Sequence, residues 1–311
     1  MKNQWIKKLF FFLIASGAFS KPATACDICG CGVGNDYIGI LPDFHRHVFG
    51  LRYRHNALLS HLGVGGQHTY LTTSEQYRTL EAWGGWNISE KFRVMAVVPY
   101  SSNRRSNQDE SVTKSGAGDI TVSAFYQLIN KREPAGNKLL VQSLWLGGNI
   151  KLATGNYNPA DKSAAGESAN LFQLGSGSTD FALSGMYDLR VQDAGINLNA
   201  HYKINTANRY DYRYGNKLNL NAQAYYKIRI AGAVMIAPNA GVQYEKGKTD
   251  VDNDVLVTVS GGNLLMGTAG LETAYKKIAI GANFQTPFSQ NLANGIVKAN
   301  NRVMVHVSLA L

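Results

Sequence analysis

After residue 20 the chain never strings together the roughly 18 to 20 apolar residues that a helix needs to cross a bilayer. Segment after segment instead alternates apolar and polar residues with period two. That pattern is the signature of strands with one greasy face and one wet face. Residues 196–205 read INLNAHYKIN, where Ile196, Leu198, Ala200, Tyr202 and Ile204 alternate with Asn197, Asn199, His201, Lys203 and Asn205. The segment LNLNAQAYYKIRI repeats the arithmetic from Leu218 to Ile230, and the C-terminal segment repeats it from Val303 to Leu311. With 45% hydrophobic residues, 17% charged residues and a mean hydropathy of −0.18, the composition is too polar for a helical membrane bundle and too apolar for a disordered chain.

The alternating segments predict strands near 47–60, 77–87, 91–101, 118–129, 138–152, 177–190, 194–206, 215–230, 232–245, 263–275, 277–287 and 301–311. Short connections alternate with the long polar stretches 61–76, 102–117, 153–176, 207–214, 246–262 and 288–300. A soluble sandwich also alternates along its strands, so the connections decide the architecture. Short turns at one end and long loops at the other, with an even number of strands, describe an antiparallel transmembrane up-and-down β-barrel of about twelve strands. A bilayer offers no water to unpaired backbone groups, so a sheet that crosses it must close on itself. Pro238 removes one ladder donor from the segment 232–245 and predicts a bulge there. Trp83, Trp86, Tyr100, Tyr187 and Tyr275 fall near strand ends, as an interfacial aromatic girdle requires.

The first residues carry a different message. MKNQWIKK is a positive n-region, LFFFLIASGAF a short apolar core, and Ala23-Thr24-Ala25 an A-x-A cleavage site before Cys26. Residues 1–25 are therefore expected to be a signal peptide, 26–46 a Cys-rich periplasmic segment or plug, and 47–311 the barrel. Removing Lys2, Lys7, Lys8 and Lys21 from the 31 basic residues leaves 27 against 21 acidic ones, so the formal charge of +10 no longer argues for a nucleic-acid partner.

All three cysteines lie in CDICGCG, as Cys26-x-x-Cys29-x-Cys31. In an oxidising compartment a disulfide is the default, and the odd count leaves one thiol for lipid, metal or a partner. With His45 and His47 close behind, the three thiolates could hold copper or zinc.

Three further segments carry a resemblance: SGAGDITVSAFYQL at 115–128, LGSGSTDFALSGMYDL at 174–189, and GLETAYKKIAIGANFQTPFSQNLANG at 270–295, followed by NRVMVHVSLAL. They resemble the outer-membrane transporter β-barrels of Bacteroidota-type bacteria, akin to the meta-pathway phenol-degradation channel family. The resemblance implies passage of something small across the outer membrane of a Gram-negative bacterium. In the first two segments a Gly-rich loop leads to Asp119 or Asp180 at the outer rim, a spacing that fits turn chemistry better than a ligand site.

Outward parity for the apolar residues puts Arg52, Arg54, Arg93, Lys203, Lys227, Arg229, Lys277 and Arg302 inside, against Asp119, Asp180, Asp188, Glu245 and Glu272. His201 and His306 share the inward parity. Eight bases against five acids suggest a channel for small polar or anionic solutes, with outer-membrane lipid and the solute as partners and the N-terminus in the periplasm. The competing arrangement has these charges paired across the lumen, bracing the barrel. A channel needs no catalytic group, and no catalytic residues are expected. The alternative reading is a metal-handling outer-membrane protein that uses the CxxCxC segment with a periplasmic metal-handling partner, the barrel serving as anchor.

Overall fold

The computed structural model describes residues 47–161, 170–230 and 234–311. Twelve long strands form the wall: β1 Val48–Ser60, β2 Thr73–Asn87, β3 Phe92–Ser106, β4 Thr121–Ala135, β5 Lys138–Lys151, β6 Asp180–Val191, β7 Ala194–Ile204, β8 Lys217–Tyr226, β9 Val234–Gly247, β10 Gly262–Tyr275, β11 Ile278–Leu292 and β12 Arg302–Ala310. Each pairs antiparallel with its chain neighbours, and β1 pairs with β12, so the sheet closes into a twelve-stranded barrel. Among the described residues no helix is long and apolar enough to cross a membrane.

The connections 88–91, 136–137, 192–193 and 276–277 lie at one end, and 61–72, 107–120, 152–179, 205–216, 248–261 and 293–301 at the other. The strands outrun their apolar spans at this second end. β2 starts at Thr73, and β3 continues to Ser106, where it turns back into a strand at Ser111–Ala117. A polar segment was expected to be loop there, but alternation in hydropathy marks only the part of a strand that faces lipid. Above that band the ladder continues with water on its outer side.

The outward residues form an apolar belt, with Leu51, Leu80, Val98, Leu183, Leu198, Leu271 and Ile280 all exposed. Trp86, Tyr100 and Tyr275 are exposed on this outer face, consistent with a girdle. Trp83 is not: it is buried, with its indole over Gly50 of the neighbouring strand, and it packs with Met95, Phe125, Trp145 and Met186. Pro238 causes no register shift. Its missing N–H interrupts the preceding strand instead, which breaks at Lys227 and resumes as Ile228–Ile230 in the same register against β9. The irregularities occur elsewhere, between Gln127 and Ile129 in β4 and opposite Leu265 and Met266, where Phe288 is the extra residue of β11.

Candidate functional site

The inner faces of the strands bring together side chains that lie far apart in sequence. Arg52 donates through Nε to Glu81 Oε2 at 2.5 Å, and Arg54 donates through Nη2 to Glu81 Oε1 at 2.6 Å, so one carboxylate bridges two guanidiniums. Arg52 and Glu81 are each 1% exposed, which makes this a fully enclosed cluster. Six residues nearer the long loops on the same strand, Glu75 accepts from the Ser60 hydroxyl at 2.7 Å and from the Tyr77 hydroxyl.

A second cluster is built on β5, β6 and β7. Lys151 Nζ lies 2.5 Å from Asp119 and 2.9 Å from Asp180, and Lys203 Nζ lies 3.1 Å from the same Asp180 oxygen. Asp180 also accepts from Ser178 Oγ at 2.9 Å and the Thr206 amide at 3.0 Å. Asp119 does more than turn the chain. It accepts from the amide of Gly155 at 2.9 Å and that of Ser176 at 2.8 Å, tying together the start and the end of the connection 152–179.

That connection folds back over the barrel mouth. Leu171 is buried against Leu58, Tyr77, Leu264 and Met266, which come from β1, β2 and β10. Phe172 is flanked by Arg105 and Lys114, each 4.8 Å from its ring centre, and its carbonyl accepts from Lys114 Nζ. Gln173 O accepts from Asn103 Nδ2 at 3.1 Å, and Asn170 O from the Tyr214 hydroxyl at 3.1 Å. Tyr212 and Tyr214, in the polar stretch 207–214, are buried with Tyr157 and Val257 in a small aromatic core. Tyr212 donates to Asp250 at 2.6 Å; burial pushes this carboxyl up, opposed by Lys217 and by the bonds from Tyr212 and Gly215.

Beneath the loop is a cavity with about 110 Å³ open to water centres. Apolar Tyr77, Val97, Pro99, Leu171, Leu174 and Tyr214 interleave in its wall with charged Arg54, Glu81, Asp119, Lys151 and Lys203, and Pro99 stands directly across the ladder from Glu81. Every charged member of this wall has an opposite charge within 3.1 Å. Its size approaches the ~150 Å³ of cavities that take up one benzene ring.

The remaining candidates distribute as follows. Arg93 is fully enclosed beside Gly85. Arg302 pairs with Glu245, donating through Nη2 at 3.1 Å, and His306 Nε2 lies 3.9 Å from Glu272 Oε1. His201 Nδ1 sits 2.8 Å from Ser184 Oγ. Lys227 is at the end of β8, and its ammonium lies over the Tyr225 ring. Arg229 keeps its parity past the break at Lys227 but lies at the rim, where its side chain is 54% exposed and pairs with Asp193 at 2.6 Å. Lys277 is likewise exposed, in a turn. Sequence parity passed over Lys151, Glu75 and Glu81; with these counted and Arg229 and Lys277 set aside at the rim, seven bases stand against seven acids.

Cys26, Cys29, Cys31 and His45 lie outside the described residues. His47 stacks on Trp86 with ring centres 4.4 Å apart, and its Nδ1 accepts from the Asn87 amide at 3.1 Å. Among the described residues no three His, Cys, Asp or Glu side chains are grouped to hold a metal.

The fold has solved counterparts. The COG4313 outer membrane channel from Pseudomonas putida F1 is 13% identical, with 89% of this chain and 98% of that chain covered and a TM-score of 0.62. The β domain of the Bordetella autotransporter BrkA is 11% identical over 86% of this chain and 100% of its own, at a TM-score of 0.48. The NanC porin is 11% identical over 85% and 100%, at 0.43. No curated protein matches. The architecture is that of an outer-membrane β-barrel, and residues 60–293 match the family described as putative MetA-pathway of phenol degradation, to which this chain belongs.

Proposed function

We propose that the protein is an outer-membrane channel for small uncharged solutes that combine a ring-sized apolar body with a polar group. The observation that carries this is the cavity under the connection 152–179, whose lining mixes apolar residues with charges that are already paired. An ion entering it would have to compete with pairs already satisfied in place, whereas a hydroxyl or amide can share their remaining donors and acceptors. This keeps the polar part of the solute class inferred from the sequence and drops the preference for anions, because the inward bases and acids balance once Arg229 and Lys277 are placed at the rim. A site along a conduction path must also release what it binds, which suits a modest, mixed-character pocket.

In this reading the long connections face outward, and the short turns and the start of β1 and end of β12 face the periplasm, as in other outer-membrane barrels. The copper or zinc reading of Cys26, Cys29, Cys31, His45 and His47 stands on the CxxCxC spacing alone, and a periplasmic metal-handling partner stands with it. The solute class is tested by current block in a planar bilayer, with benzyl alcohol, benzoate and benzylammonium at equal concentration. Benzyl alcohol should interrupt the current most often, and Leu174→Trp, which fills the cavity, should abolish the difference. Stronger block by either ion contradicts the assignment.

A further inference from the structure

We infer that the outer face of β12, β1, β2 and β3 docks the phosphate groups of an outer-leaflet lipid. The register sets the residues in rows. Val305, Tyr53, Leu80 and Tyr100 stand side by side on neighbouring strands, each 40% exposed or more, and mark the upper edge of the apolar belt. The next outward row toward the long loops carries His55, Arg78 and Ser102, and the one above it Gln76 and Arg104. Lys298, paired with Leu59, closes the patch on the β12 side.

Arg78 and Arg104 are exposed, and their hydrogen bonds run to neutral partners, Gln76 Oε1 at 3.2 Å and Ser111 Oγ at 3.0 Å. The only carboxylates in these four strands are Glu75 and Glu81, and both point into the barrel, where hydroxyls and arginines hold them. The outward surface of these four strands is therefore basic and carries no acid of its own, at the height where headgroups begin; Asp109 and Glu110 stand beyond it, in the turn that follows Ser106.

Two residues of strand carry Arg78 about 7 Å above Leu80, and the diagonal placement of Arg78 and Arg104 separates their Cβ atoms by roughly 7 to 8 Å. Guanidiniums on stems of that length converge on a single phosphate and bind it bidentately. The acyl chains of the same lipid would lie on the exposed Leu80 and Tyr100 below. The opposite edge of the belt differs: Lys131 and Glu133 sit together there, 3.7 Å apart, and Arg229 pairs with Asp193. The inference rests on the orientation that puts the long connections outside.

Native mass spectrometry of the refolded protein tests it, with lipid A carrying two phosphates and a phosphate-free glycolipid of the same acyl composition. The diphosphorylated lipid should remain bound, and R78Q/R104Q should weaken it roughly 30-fold, from about 1 kcal/mol for each cation near a charged lipid surface. The glycolipid should not distinguish the two proteins, and conductance should be unchanged because neither arginine faces the lumen. Equal retention by both proteins overturns the assignment, as does displacement of the lipid by an equal concentration of inorganic phosphate. Whole-cell labelling of Asp254→Cys checks the orientation separately: labelling only after lysis would overturn the orientation and the outer-leaflet partner together.

Discussion

The inner surface of the barrel has two unlike walls. Along β7, β8 and β9 it is lined by amides, with Asn199, Asn219, Asn221, Gln223, Asn239 and Gln243 at successive inward positions. From β1 through β6 it carries the bridged charges of Arg52, Arg54, Glu81, Lys151 and Asp180 above an apolar patch of Trp83, Met95, Phe125, Trp145 and Met186. The amide wall is a polar lining that interacts equally with any solute. The other wall carries the Arg52–Glu81–Arg54 bridge and the Lys151, Asp119 and Asp180 cluster, which Lys203 of β7 joins, and the strand residues that line the cavity come from it apart from Lys203. On the proposed function, solute passage depends on this wall more than on the amide wall, and substitutions should report which side they touch.

The largest effect should come from breaking the bridge. Glu81→Gln removes the buried carboxylate that Arg52 and Arg54 share, which should destabilise the folded barrel by about 3–5 kcal/mol, read as a lower urea midpoint. If Glu81→Gln unfolds no more readily than Asn221→Ala, the distinction between the walls fails. Asp119→Ala comes next. It frees the amides of Gly155 and Ser176 from their common anchor while Lys151 keeps Asp180. Single-channel conductance should rise severalfold, with the urea midpoint moving less than in Glu81→Gln.

A smaller change is expected at Asp250, in the outer loops. Burial raises its pKa in the folded protein above the unfolded value, so the folded state binds the proton more tightly. The associated stability is present at low pH and is lost as pH climbs from the unfolded value through the folded one. Asp250→Asn should flatten that slope in pH-dependent unfolding while retaining an acceptor for Tyr212. The smallest effect should be Asn221→Ala on the amide wall, costing about 1 kcal/mol or less and leaving conductance unchanged.

The same division explains what could be read from the sequence. The amide wall is the stretch INLNAHYKIN and LNLNAQAYYKIRI, where every inward residue is polar and every outward one apolar or small, so alternation alone locates strands and faces. On the other wall the inward positions include Trp83, Met95 and Phe125, which break the contrast, and hydropathy cannot tell an aromatic in the lumen from one at the lipid interface. Glu81 and Lys151 are single charges whose meaning depends on partners 29 and 32 residues away, Arg52 and Asp119. Pairing across strands is a property of register, and no local pattern encodes it. Asp119 and Asp180 were visible as Gly-Asp turns near the rim, but their convergence on Lys151 required β5 and β6 to be set side by side. Pro238 shows the converse: the local penalty was legible, and the neighbouring strand absorbed it at Lys227 without a bulge.

The central claim is that a conduction path runs through this lumen and is narrowed by the loop that Asp119 anchors. Single-channel recording of the refolded protein in a planar bilayer, beside Asp119→Ala, tests it most directly. The account predicts small discrete steps with weak ion selectivity in the wild type and larger steps of the same kind in the variant. Two folded, inserted barrels that both remain silent would contradict it.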